Sequence, residues 1–207
     1  MKLLTSDFYQ RDTLEVARDL LGKYLMRTID GNQLIGKIVE VEAYKGPIDK
    51  GAHSYNYKRT PRTEVMFGPA GHAYIYLIYG MYYCMNVVTE KEGEPCAALI
   101  RGIEPIQGQE QMAQFRYEKP LQQLTKVQQK NLTNGPGKLC QAFQITKKQN
   151  GQPLWKKDCF ITDGEYVDFS QIVKSKRINI DYAEEAKDFL WRFSIKENPY
   201  VSVKPKY

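Results

Sequence analysis

Hydrophobic and polar positions alternate in two rhythms along the first fifty residues. Leu14, Ala17, Leu21 and Tyr24 recur three or four apart, with Leu20 beside them, behind the run Asp12-Thr13-Leu14-Glu15. An acceptor side chain three positions ahead of a glutamate is a capping-box pattern, so a capped amphipathic helix is predicted, stopping near Gly22. From Gly31 the rhythm changes to every second residue. Val39, Val41 and Ala43 share one face, Glu40, Glu42 and Tyr44 share the other, and a strand ending in Lys45-Gly46-Pro47 fits. Residues 48–72 follow neither period and read as a long loop, a length that often carries function in a compact domain. Strands are predicted at 73–78 and 82–88 around Tyr79-Gly80, and a third at 95–105. The Gln-rich stretch 107–131 reads as helical and exposed, and "TNGPGKLCQAF" as a glycine-rich entry into a helix near Lys138. Four short strands are predicted in "DCFITDG", "RINIDYA", "WRFSIK" and "YVSVKP". With no repeat and no linker, residues 1–207 are expected to form a single α+β domain around a curved, mainly antiparallel sheet, with flanking helices and a protruding Tyr-tipped hairpin.

Composition narrows the function without choosing it. The 207 residues, 42% hydrophobic and 26% charged, suffice for a core without staples. No apolar run approaches a membrane span and no signal-peptide core is present, so no membrane is expected as a partner and a cytoplasmic location is. Cys84, Cys96, Cys140 and Cys159 form no C-x-x-C pair, and only two histidines accompany them. A zinc centre is therefore not expected; the thiols are read as reduced, small hydrophobes, with no metal and no cofactor. The net charge of +6 is a mild lean toward polyanions.

Candidate chemistry gathers in one region. Glu42 and Tyr44 sit at a strand end, just before the loop that carries His53. "AYIYLIYGMYYCMN" then puts five tyrosines between positions 74 and 83, followed by Asn86, with Arg101 on the next strand. If these strands pair in order, a carboxylate, an imidazole, an amide, a guanidinium and several aromatic rings converge on one part of the sheet. Such a set suits a flat heteroaromatic ligand: rings sandwich it, Asn86 offers a donor and an acceptor to its edge, and Glu42 is free to act on water. A tyrosine at a hairpin tip can also wedge into a base stack, as an enzyme acting on a base inside a duplex requires.

"IVEVEAYKGPIDKGAHS", "TPRTEVMFGPAGHAYIYLIYGMYYCMNVV", "ALIRGIEP", "NGPGKLCQA", "RINIDYA" and "NPYVSV" together resemble the alkyladenine (3-methyladenine, methylpurine) DNA glycosylase family, from about residue 4 to residue 207. The resemblance implies a monofunctional DNA N-glycosylase of base excision repair that works alone on damaged double-stranded DNA, and a nucleoid-associated location. It implies Glu42 as the general base that activates water, with Arg101 and the main-chain carbonyl of Val201 helping to hold that water. Tyr44, His53 and Tyr76 match base-stacking positions, and Asn86 matches the residue that disfavours guanine's exocyclic amine. Tyr79 matches the DNA-intercalating wedge, with Met81 beside it in the groove. Tyr74, Tyr82 and Tyr83 read as packing or rim residues. Where many members carry small residues after the histidine, this chain has Tyr55-Asn56-Tyr57, which is expected to reshape the loop and change which bases fit.

Cleaving an N-glycosidic bond passes through an oxocarbenium-like state that one carboxylate can stabilise while it takes a proton from water. Glu40 shares the face of Glu42 but stands about 7 Å away along a strand, so no second carboxylate is placed to protonate the leaving base. An alkylated purine already carries positive charge and leaves without that help. Weaker action on neutral lesions such as hypoxanthine is therefore expected. Arg59, Arg62 and Lys138 are read as phosphate contacts, with a solvated rim as the alternative, and Arg101 has a structural ion pair as its alternative. A stacking module without catalysis and an enzyme on free nucleosides are the rival functions.

Overall fold

The computed structural model describes residues 1–156 and 158–205. Two short helices open the chain, α1 (Ser6–Tyr9) and α2 (Thr13–Asp19). The Asp12 carboxylate accepts the backbone N–H of Leu14 at 2.8 Å and of Glu15 at 3.3 Å, which satisfies two amides that a helix start leaves bare. The helix ends earlier than its hydrophobic spacing suggested. Gly22 turns at φ +81°, and Tyr24, expected on the helix, opens strand β1 (Tyr24–Ile29) instead. Asp30 and Gly31, both at positive φ, then turn β1 back into β2 (Asn32–Lys45), a hairpin missed in the sequence.

Strand β2 is the spine of the fold. Along one edge its residues 35–45 pair with β5 (Cys96–Gln107); along the other, residues 32–37 pair with β1 and residues 40–42 with β8 (Arg192–Ile195). The register to β5 skips Val39, a bulge that shifts the core-facing parity. Leu34 and Ile38 face the core before the bulge and Val41 and Ala43 after it, so the expected pairing of Val39 with those two is replaced by Ile38. The bulge thereby aims Glu40, Glu42 and Tyr44 together away from the core.

The remaining strands are β3 (Ala73–Ile78), β4 (Tyr82–Thr89), β6 (Cys159–Thr162) and β7 (Ile172–Ser175). Every pair is antiparallel, in the order β3-β4-β5-β2-β1-β6, with β8 on β2 and β7 on β8, and the sheet curls into a half-barrel. Its core side is covered by α2, by α3 (Gln109–Tyr117) and by α5 (Pro136–Ala142), with α4 (Lys126–Lys130) between the last two in sequence. The Gln-rich stretch is thus helical in two pieces, and Met112 and Ala113 on its first piece are fully buried. All four cysteines are free and buried. No helix among the described residues is long and apolar enough to cross a membrane.

Two expected strands are absent. "RINIDYA" and "YVSVKP" run as irregular segments, although both carry a strand-like alternation. In each, a backbone N–H that a strand would give to its neighbour goes to a carboxylate on β2: Ile178 N to Glu42 Oε1 at 2.7 Å, and Ser202 N to Glu40 Oε2 at 2.6 Å.

Candidate active site

Residues directly opposite in an antiparallel sheet share a face, so the register decides what meets what. Tyr74 lies opposite Asn86, Asn86 opposite Leu99, Leu99 opposite Glu42, and Glu42 opposite Arg192. The non-sequential neighbours β2 and β5 therefore bring Glu42 beside Leu99, and Arg101 two residues further along. Over this row lies a cavity of about 470 Å³, lined by Tyr44, His53, Tyr76, Tyr79, Asn86 and Arg101 together with Arg62, Leu99 and the segment 178–180. That volume is in the range of small-ligand pockets.

The Glu42 side chain is buried beneath this cavity. Oε2 accepts the Tyr44 hydroxyl at 2.8 Å and Arg101 Nη1 at 3.3 Å, and Oε1 accepts Ile178 N. Glu42 was expected to be free toward water; instead three protein donors fix it, and one lone pair on Oε1 is left over. Burial opposes the charge of Arg101, but Glu42 and Glu40 more than offset this and raise its pKa. Burial, with Glu42 adding to it, pushes the Tyr44 phenol well above its ordinary value, so it serves as a neutral donor.

Glu40, on the same face, is equally buried and tied to other groups: Arg192 Nη1 at 2.8 Å, Ser202 N and Oγ at 2.6 and 2.9 Å, and Arg101 Nε at 3.5 Å. Arg101 Nη2 in turn donates to Ser202 Oγ at 3.3 Å. Glu40 thus fixes Arg101 from one side and the backbone next to the buried Val201 from the other. Its role was missed because its partners Arg192 and Ser202 lie more than 150 residues away along the chain.

His53 is held in its loop by Ser54, whose hydroxyl donates to Pro95 O at 2.7 Å. Its ring meets Tyr76 edge-on at 4.6 Å. Arg62 Nη2 lies 3.3 Å from His53 Nε2, and Tyr74 Oη lies 2.9 Å from Nδ1. A guanidinium only donates, so Nε2 is the acceptor and the imidazole proton sits on Nδ1, donated to Tyr74. Burial, helped by Arg62, lowers the His53 pKa to about 4 and keeps the ring neutral. The Asn86 amide is oriented by its donation to Tyr74 O at 3.0 Å, which leaves its Oδ1 for a ligand. No Asp or Glu is among the cavity-lining residues.

The other candidates are spread around this centre. Arg62 lines the cavity with its guanidinium 4.8 Å over the Tyr76 ring. Arg59 lies outside the lining, paired with Glu64 at 2.6 Å on the surface. Lys138 donates to Asn131 and Asn134 Oδ1, both at 2.8 Å; its helix contributes Pro136 and Gly137 to the lining, while the lysine itself stands behind them. Tyr79 and Met81 occupy the three-residue turn between β3 and β4, 72% and 65% exposed. Tyr55 and Tyr57 do not line the cavity, and the Tyr57 hydroxyl donates to Glu94 at 3.1 Å.

Comparison with known proteins points one way. The family model described as Methylpurine-DNA glycosylase matches residues 7–199. A protein of Alkaliphilus oremlandii named "Putative 3-methyladenine DNA glycosylase" is 59% identical over 201 residues, covering 97% of this chain and 99% of its own length. Proteins carrying the same name are 57% identical in Clostridium acetobutylicum, over 100% of both chains, and 54% identical in Bacillus cytotoxicus, over 94% of this chain and 97% of the relative.

Proposed function

Since the chain belongs to the methylpurine-DNA glycosylase family, whose members hydrolyse N-glycosyl bonds, we propose that it releases alkylated purines such as 3-methyladenine from duplex DNA by flipping the nucleotide into the cavity, and leaves an abasic site. The observation that carries this reading is the Glu42–Arg101–Tyr44 cluster directly under an aromatic-lined cavity of about 470 Å³. The base lies against Tyr44, His53 and Tyr76, with Asn86 Oδ1 at its edge. Tyr79, exposed at its turn, fills the gap in the stack and offsets part of the few kcal/mol that extrusion costs. The remaining lone pair of Glu42 Oε1 takes a proton from water as its oxygen bonds C1′, and the electrons of the broken C–N bond leave with the base. Arg101 orients that water, with the Val201 main chain alongside. Arg62 faces the DNA, and Met81 enters the groove beside Tyr79; the enzyme acts as a monomer.

The test is base release from alkylated duplex DNA by wild type beside Glu42→Gln. Release by wild type and a loss of about a hundredfold or more in the variant is the expected result. A wild type that binds duplex but frees no base would overturn the reading in favour of a stacking module. Binding that hardly weakens as salt rises would favour an enzyme on free nucleosides, because phosphate contacts make affinity salt-dependent.

A further inference from the structure

Behind Tyr44 lies a buried ion pair that the proposed chemistry does not use directly. The side chains of Arg177 and Asp49 are both wholly buried and meet in a two-pronged contact, Nη1 to Oδ2 at 2.5 Å and Nη2 to Oδ1 at 2.7 Å. The same guanidinium donates to Ala43 O at 3.0 Å and to Ala186 O at 3.1 Å. Its carbon lies 4.6 Å over the Tyr44 ring and 5.2 Å over the Trp191 ring. Gly51 donates to Asp49 Oδ1 at 2.8 Å, and a Cβ there would come within 3.1 Å of both Arg177 Nη2 and Asp49 Oδ1. The loop that carries His53 is therefore closed onto this pair.

We infer that Arg177, locked by Asp49, is a positioning residue that sets base stacking and carboxylate geometry with one group. Arg177 covers one face of Tyr44, the ring whose hydroxyl bonds Glu42, and the ring borders the cavity. The residue after Arg177 is Ile178, whose N–H holds the other oxygen of Glu42. Fixing the guanidinium thus fixes both sides of the carboxylate. Only a planar fork can stack on a ring and grip a carboxylate and two carbonyls together; an ammonium cannot. A bare fold-stabilising role would not need the guanidinium stacked on the tyrosine whose hydroxyl bonds Glu42. The buried pair is also a weak source of net stability, since removing two charges from water offsets much of their attraction.

The inference rests on the glycosylase reading, and the experiment separates the two. Arg177→Lys and Asp49→Asn are compared with wild type in single-turnover base release from a 3-methyladenine duplex with enzyme in saturating excess. Affinity is measured in parallel on a duplex bearing an abasic analogue. In this regime the rate constant does not depend on the active fraction of enzyme, so misfolding alone leaves it unchanged. The expected result is a rate constant lower by about tenfold or more in Arg177→Lys, and less in Asp49→Asn, with affinity within about twofold of wild type. Unchanged rate constants in both variants would overturn the positioning role, even if their melting temperatures fall. If Arg177→Lys does not fold, Asp49→Asn decides by the same criterion. A wild type that releases no base takes down the glycosylase reading itself.

Discussion

His53 should make the protein lose stability in mild acid, over a range set by its neighbours. Its pKa is 6.5 when unfolded and about 4 in the folded protein, through burial and the adjacent Arg62. Between these values the unfolded chain binds a proton that the folded protein refuses, so stability falls as pH drops from about 6.5 toward about 4 and is level above. The whole shift corresponds to about 3 kcal/mol at most, and about 2 kcal/mol of it is lost by pH 5. Urea unfolding of wild type and His53→Gln at pH 7.5, 6 and 5 isolates this effect, because titrating carboxylates contribute alike to both. The stability difference between the two proteins should shrink by about 2 kcal/mol between the extremes. NMR titration of the imidazole supplies an independent reading, with only two histidines to assign. A His53 resonance that titrates near 6.5, or a stability difference that stays level with pH, would refute the neutral, Nδ1-protonated imidazole deduced from Arg62 and Tyr74.

Three further outcomes are expected. Tyr79→Ala, at a 72% exposed turn position, should leave stability within about 0.5 kcal/mol of wild type while slowing base release from duplex DNA about tenfold; equal rates in the same assay would remove the wedge. Gly102→Ala places a Cβ 2.6 Å from Tyr200 O and 3.2 Å from the Glu40 side chain, so the 200–202 segment must retreat from Glu40 and Arg101. Base release should slow in single-turnover measurements, and an unchanged rate would mean that this segment has no part in the reaction. Hypoxanthine should be released more slowly than 3-methyladenine under matched conditions, because Glu42 is assigned to the water, Glu40 is engaged by Arg192 and Ser202, and His53 stays neutral down to about pH 4; comparable rates would require an acid from elsewhere.

Much of the scaffold was legible because local rules govern it. The Asp12 cap, the alternation of β2, the β3–β4 pairing and the glycine-rich entry into the helix that bears Lys138 each follow from a few neighbouring residues. Of the candidate residues, Tyr44, His53, Arg62, Tyr76, Tyr79, Asn86 and Arg101 do meet at one cavity, but their contacts were not legible. Glu42 reads as exposed from its alternation alone, since nothing near it in sequence announces that Ile178 will seal it. The same cause explains why two expected strands are absent. Ile178 and Ser202 have the right alternation, yet each gives its N–H to a carboxylate on β2 in place of a strand. Glu40 and the Asp49–Arg177 pair escaped notice because partners from 128 to 162 residues away define them. The bulge at Val39, which aims the acidic face, leaves no signature in a sequence read by period alone.

The division of β2 between an early partner, β1, and a late one, β8, also orders events in time. The hairpin β1–β2 can close as soon as residue 37 is made, but the half of β2 that bears Glu40 and Glu42 gains its outer neighbour only after residues 192–195 exist. At roughly 5–20 residues per second, the ribosome leaves the two acidic side chains without Arg192, Ile178 and Ser202 for about ten to thirty seconds. Until then they are hydrated carboxylates on an open strand edge, and charges on such an edge discourage pairing with other nascent chains. By the same physics, the two side chains that end up buried in the folded protein would oppose edge-to-edge association of the unfinished chain. Docking of the C-terminal segment ends that exposure by giving Glu40 and Glu42 their partners Arg192, Ser202 and Ile178.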